Sequence, residues 1–271
     1  MNQVRLIPLR QPSYRILCVR ICKERNLIMK KTMKKCLARA LALAVVASMT
    51  CSYAFAASFD DLQNAIDGNT ESGDYIGTNG NDHYGYGSND DGSYGVESWT
   101  GDDGDRNVQL NESVSKEDGK EDGVVVDKED GNVTIDLNGN DITSDNYDPD
   151  VGTSSAGTPG AGGEYGSVIT VNKDANLTLK DTSSDKADEQ GTISGGFGIY
   201  DGGGGIMVDG GTLNMEGGNI SDNASYSGGG GVGVKNDGEF NMSGGAISNN
   251  VGGGVTGKGD AVLIMSGGEI K

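Results

Sequence analysis

From Val108 onward, apolar and polar side chains alternate in short runs that return at near-regular intervals. With Leu137, Leu179, Met215, Met242 and Met265 taken as origins, the residue two before each is Ile135, Leu177, Leu213, Phe240 and Leu263. Between them stand Asp136, Thr178, Asn214, Asn241 and Ile264, so every run but the last reads in-out-in, the period of a β-strand with one buried face. Five residues after the origin come Ile142, Ile220, Ile247 and Ile270, with Ile193 filling that place after an insertion. A preceding strand supplies Ile169 and Val171, Ile206 and Val208, Val232 and Val234, and Val255. Two after the origin stand Gly139, Gly217, Gly244 and Gly267, where tight corners favour glycine.

The origins are spaced 42, 36, 27 and 23 residues apart. The two shorter spacings fit one coil of a three-sided parallel β-helix. The two longer ones fit the same coil with polar residues looped out at 147–166 and 181–190, because loop closure entropy grows slowly with length. Each coil buries its apolar stack only against its neighbours, so several are needed before any is stable. Asn223 and Asn250, each eight residues after an origin, fit a ladder of stacked amides along the coil axis; the same residues also suit simple turns.

Upstream, residues 57–68 carry helix signals: Ser58 as N-cap, Asp60 and Asp61 in the first turn, Phe59, Leu62 and Ile66 on one face, and Gly68 as the stop. A helix this short needs a surface to receive its apolar face. Residues 69–106 are Gly, Asp, Asn, Ser and Tyr with few aliphatic side chains and one base, Arg106, which predicts a long solvated, disordered insertion with no core of its own. Before residue 57, Lys34 and Lys35, the apolar run Ala38 to Met49 and the small-x-small site Ala54-Phe55-Ala56 read as an export signal. That run is short for a membrane span. Residues 1–56 are therefore expected to be a disordered leader and signal peptide, cleaved near Ala56 on a Sec-type route to secretion or the cell surface. Translation is expected to start at Met29 or Met33.

Charge changes the picture at this boundary. The 271 residues carry 40 acidic and 21 basic side chains, a net of -19. Removing the basic leader leaves 10 basic against 39 acidic residues, or -29. That excludes a nucleic-acid binder, whose phosphate contacts need clustered Lys and Arg. Cys18, Cys22, Cys36 and Cys51 all leave with the leader, so the mature chain has no disulfide, thiolate nucleophile or Cys metal site. The 47 glycines beside 4 prolines, without a three-residue period, exclude collagen and suit coil corners.

The runs Gly211-Thr212-Leu213-Asn214-Met215-Glu216-Gly217-Gly218-Asn219-Ile220-Ser221-Asp222-Asn223 and Phe240-Asn241-Met242-Ser243-Gly244-Gly245-Ala246-Ile247-Ser248-Asn249-Asn250 resemble coils of pectate-lyase-like right-handed parallel β-helix surface proteins. Val133 to Thr143 is similar to a first full coil of such proteins from Gram-positive anaerobes, and the helix at 58–67 to their N-terminal cap. Gly244-Gly245-Ala246-Ile247 also resembles the repeat tetrapeptide of chlamydial polymorphic membrane adhesins, although Ser243 stands where that pattern has Asn. The resemblance covers about residues 58–67 and 107–271. It implies an all-β right-handed parallel β-helix (solenoid) with a short N-terminal capping helix, and it leaves function open, since such folds host lyases, hydrolases and adhesins.

A lyase of this kind needs a strong base beside acidic calcium ligands. After Arg106 there is no Arg, and Lys173, Lys180, Lys186, Lys235 and Lys258 are scattered along the coils. A galacturonase-type hydrolase needs converging carboxylates, yet Asp136 is the only acid read at the outward strand position. The acidity also disfavours polyuronate substrates. The expectation is a noncatalytic exported adhesin or scaffold with no cofactor, presenting residues 69–106 and 147–166 to host or cell-wall glycans or proteins. The alternatives are a carbohydrate-binding or polysaccharide-degrading module and a structural stalk. A lysine converging with two carboxylates in one groove would favour the enzyme.

His83 and Trp99 stand isolated in the polar segment and read as solvated residues, and Tyr75, Tyr84, Tyr86 and Tyr94 as features of flexible coil, with stacking on sugar rings the alternative. Oxygen ligands for calcium are offered at close spacing by Asp82, Asp91, Asp102, Asp103 and Asp105, and again by Asp145, Asp148 and Asp150; a solubilising acidic surface is the simpler reading of the same residues. The mature chain has no apolar run long enough to span a membrane. It stops at Lys271 in mid-coil, which predicts a truncated frame with further coils and an anchor beyond.

Overall fold

The structure, a computed structural model, describes residues 57–77, 82–89, 92–101, 104–116, 123–146, 166–183, 190–199 and 202–271. The expected leader and signal peptide, residues 1–56, lies outside the described residues. The fold is mostly β, with long parallel sheets in a solenoid-like arrangement.

From residue 106 to 270, successive strands visit three sheets in fixed rotation, with a short parallel pair, Phe197–Gly198 and Ala224–Ser225, inserted between the second and third sheets in two coils. The first sheet takes Arg106–Leu110, Asn132–Asp136, Asn176–Lys180, Thr212–Met215, Glu239–Met242 and Val262–Met265. The second takes Val114–Ser115, Ile142–Thr143, Thr192–Ser194, Asn219–Ser221, Ala246–Ser248 and Glu269–Ile270. The third takes Val124–Val126, Ile169–Val171, Ile206–Asp209, Val232–Lys235 and Val255–Gly257. Within each sheet these strands pair in parallel, each beside its counterpart one coil earlier. The interior therefore fills with columns of like residues. Val114, Ile142, Ile193, Ile220, Ile247 and Ile270 align down the second sheet. Val124, Ile169, Ile206, Val232 and Val255 align down the third. These are the columns that the alternation predicts.

The first sheet departs from the predicted phase in one coil. Leu179 pairs with Ile135, not Leu137, and the outward Thr178 stands beside Thr134, not Asp136. Residues 133–137 alternate through five positions and fit two phases. The earlier phase wins because Leu137, also buried, turns the corner inside. The Asp136 carboxylate meanwhile closes the corner, accepting from Thr182 N at 3.0 Å, Thr182 Oγ1 at 2.7 Å and Asn138 N at 3.1 Å. Left-handed backbone at the later corners falls on Gly218, Gly245 and Gly268, one residue beyond the glycines that the spacing singles out. A Cβ on Gly244 would run into the Glu216 carbonyl of the coil below.

Asn223 and Asn250 form a ladder. Asn223 Nδ2 donates to Asn250 Oδ1 at 3.1 Å and to the Ile193 carbonyl at 3.0 Å, while Asn223 Oδ1 accepts from Gly196 N at 2.9 Å. Asn250 Nδ2 repeats the contact one coil on, to the Ile220 carbonyl at 2.9 Å.

The helix runs Phe59–Asp67, with Ser58 Oγ accepting from Asp61 N at 3.1 Å and Gly68 left-handed at φ 64°. Phe59, Leu62, Ala65 and Ile66 are buried in the same core as the strands. Residues 69–106 depart from the coreless insertion that their composition predicts. Their described parts form Asp74–Tyr75, His83–Ser88 and Tyr94–Thr100, which pair antiparallel and extend the first sheet beyond Arg106–Leu110. Tyr86 and Val96 face each other across two of these strands and are buried, as is Ser98. Sparse aliphatics suffice because the tyrosines supply apolar area and glycine lets rings lie across a strand: a Cβ on Gly85 would meet the Tyr94 ring.

Candidate binding face

The outward residues of the extended first sheet fall into one register row. His83 pairs with Trp99, Trp99 with Asn107, Asn107 with Thr134, Thr134 with Thr178, Thr178 with Asn214, Asn214 with Asn241, and Asn241 with Ile264. All but Ile264 are half-buried, as suits side chains on a packed sheet surface. A second amide ladder starts beside this row at Asn132 and Asn176 and joins it at Asn214 and Asn241. Asn132 Nδ2 donates to Asp105 Oδ1 at 2.8 Å, Asn176 Nδ2 to Asn132 Oδ1 at 3.0 Å, Asn214 Nδ2 to Asn176 Oδ1 at 3.0 Å, and Asn241 Nδ2 to Asn214 Oδ1 at 3.1 Å. Each amide fixes the next, so the face presents oriented hydrogen-bonding groups on a rigid backbone.

One aromatic pair stands at one end of this face. His83 and Trp99 lie 5.2 Å apart, tilted by 58°, while Tyr84, paired with the buried Ser98 and packed against the core, meets Tyr75 edge-on at 5.5 Å on the opposite side of the sheet. His83 Nε2 is 3.0 Å from Glu97 Oε2, at angles outside those of a hydrogen bond. Asn111 Nδ2 donates to the other Glu97 oxygen at 2.8 Å. Tyr94 Oη donates to Asp74 Oδ2 at 3.1 Å, and this bond raises the Tyr94 pKa above its ordinary value, keeping the phenol a neutral donor. The sequence reads His83 and Trp99 as isolated; antiparallel pairing makes them neighbours.

Of the calcium candidates, Asp91, Asp102, Asp103, Asp148 and Asp150 lie outside the described residues. Asp82 is exposed, Asp105 holds Asn132, and Asp145 lies 3.9 Å from Lys116 Nζ. Asp82 and Asp105 precede strands separated by Tyr94–Thr100, and Asp145 follows a strand of another sheet, so these three are not brought together. Among the described residues no group of three or more His, Cys, Asp and Glu side chains is arranged to hold a metal, and no helix is long and apolar enough to cross a membrane.

The lysines are less scattered in space than in sequence. At the corner between the third and first sheets, Lys173, Asp174, Asp209, Lys235, Asn236, Asp237, Lys258 and Asp260 line an open groove of about 990 Å³. Lys235 Nζ lies 3.1 Å from Asp209 Oδ2, and Asn236 Nδ2 donates to Asp209 Oδ1 at 2.6 Å. The coil period explains the gathering: Asp209 pairs with Lys235 in register, and Lys258 N donates to the Val234 carbonyl one coil below. Asp136, by contrast, is a buried corner residue and no part of the outward row.

No family model, curated protein or solved structure matches this chain.

Proposed function

We propose that this chain is an exported, noncatalytic surface adhesin or scaffold, a right-handed parallel β-helix capped by the helix Phe59–Asp67, that binds neutral glycans on its first sheet. The single observation behind the ligand is the row from His83 and Trp99 through Asn107, Thr134, Thr178, Asn214 and Asn241. Aromatic faces stack on the apolar face of a sugar ring, and oriented amides and hydroxyls match its hydroxyls. The net charge of -29 downstream of residue 56 (10 basic, 39 acidic) disfavours polyanionic chains. Right-handedness follows from the rule for parallel crossovers, and the pectate-lyase-like resemblance of the coils agrees with it. The buried apolar face of the helix supports its role as a cap.

The corner groove supports a second reading, a polysaccharide-degrading site with Lys235 or Lys258 as base beside Asp209, Asp237 and Asp260. The two readings separate in one experiment, in which the chain and its Trp99→Ala variant meet a panel of neutral and uronate polysaccharides and both retention and chain cleavage are read. The adhesin reading expects retention on neutral glycans without cleavage, reduced at least tenfold by Trp99→Ala. Cleavage that Trp99→Ala leaves intact would overturn it in favour of the groove, and no retention on any glycan would overturn the glycan assignment.

A further inference from the structure

Alternation continues past the strand ends in the second sheet and carries an amine and a carboxamide into the interior. Val114 and Ser115 pair with Ile142 and Thr143. Val114 and Lys116 are buried on either side of the exposed Ser115, and Ile142, Ser144 and Asn146 are buried with Thr143 and Asp145 exposed between them. Lys116 Nζ, on a side chain 1% exposed, donates to Asn146 Oδ1 at 2.9 Å, and Asn146 is itself 2% exposed. The Asp145 carboxylate lies 3.9 Å from Nζ. The Asn146 amide is oriented by its own bonds, Nδ2 to the Gly166 carbonyl at 3.2 Å and backbone N to Ser144 Oγ at 3.3 Å.

We propose that Lys116 and Asn146 condense into an intramolecular isopeptide bond, with Asp145 as the proton carrier. The Lys116 ammonium passes one proton to the Asp145 carboxylate, and the lone pair so released on Nζ attacks Cγ of Asn146. The Nζ–Cγ bond forms and the Cγ–Nδ2 bond breaks. Nδ2 takes a second proton from Nζ and leaves as ammonia, which recovers the first proton from Asp145 and departs as ammonium. One ammonium and one carboxamide become one secondary amide and one ammonium ion, so atoms and charge balance and no oxidant is required.

Two physical features favour the condensation. An ammonium held inside a packed interior carries a desolvation cost, and the product is neutral. Both groups are preorganised at contact distance by neighbouring coils, the arrangement that gives intramolecular reactions high effective concentrations. The product ties residues 30 apart in the chain across adjacent coils. Downstream of residue 56 there is no cysteine to do this by disulfide. The bond is independent of what the outer face binds.

The test is peptide mapping of the full chain, folded by circular dichroism, then denatured and digested with trypsin. The expected product is one branched species joining the Lys116 and Asn146 peptides, lighter than their sum by one ammonia and uncut after Lys116. Asn146→Ala and Asp145→Ala, each still folded, should instead yield two linear peptides with cleavage after Lys116. A folded wild-type chain that gives cleavage after Lys116 and an unmodified Asn146 peptide would overturn the proposal. A branched species persisting in Asp145→Ala would overturn the role given to Asp145.

Discussion

Asn223 shows how much of this molecule rests on single buried polar side chains. It is fully buried, and its amide bonds the backbone of its own coil at Ser221, the coil below at Gly196 and Ile193, and the next rung at Asn250. Asn223→Ala strands the Gly196 N–H away from water, at a cost of about 1–3 kcal/mol for a group left unpaired. Urea unfolding should show that loss as a lower midpoint, while Ser243→Ala, at an exposed corner position of the next coil, should unfold like the parent. Equal midpoints for Asn223→Ala and the parent would mean that the ladder bears no stability. The position of Asn223 eight residues after Met215 is visible in the sequence, but turn and ladder asparagines share that pattern. Register decides between them.

At the scale of the element, legibility follows side-chain chemistry. The isoleucine column of the second sheet and the valine columns of the third can be read directly, because β-branched residues recur at fixed offsets from each corner. The phase of Asn132–Asp136 cannot, since Val133, Ile135 and Leu137 are all buried and only the pairing of Ile135 with Leu179 chooses among them. The antiparallel strands His83–Ser88 and Tyr94–Thr100 are hidden by composition: glycine and tyrosine in place of aliphatics resemble coil until the rings are seen to pack. Tyr86 tests this directly. It is 1% exposed, so Tyr86→Ala should cost about 3 kcal/mol in urea unfolding, as for other large-to-small core changes. A solvated segment would lose nothing, and an unchanged midpoint would contradict the strand assignment.

At the scale of the molecule, the coil turns sequence distance into a short rise, and neither the binding face nor the corner groove can be found from spacing alone. Asp209 and Lys235 are neighbours because their strands pair in register, and Trp99 joins Asn241 in one row through five successive pairings. The same rule brings Lys116 to Asn146. They depend on register in the third, first and second sheets respectively. The most direct test is a double electron–electron resonance distance between spin labels placed at Asn107→Cys and Ile264→Cys, in a chain whose four leader cysteines are replaced by serine. Five strand steps in the row separate these sites, so at the usual strand spacing a narrow distribution centred near about 24 Å is expected. A broad distribution, or one centred well beyond about 40 Å where that strand spacing no longer holds, would contradict the stacked coils and the binding face built on them.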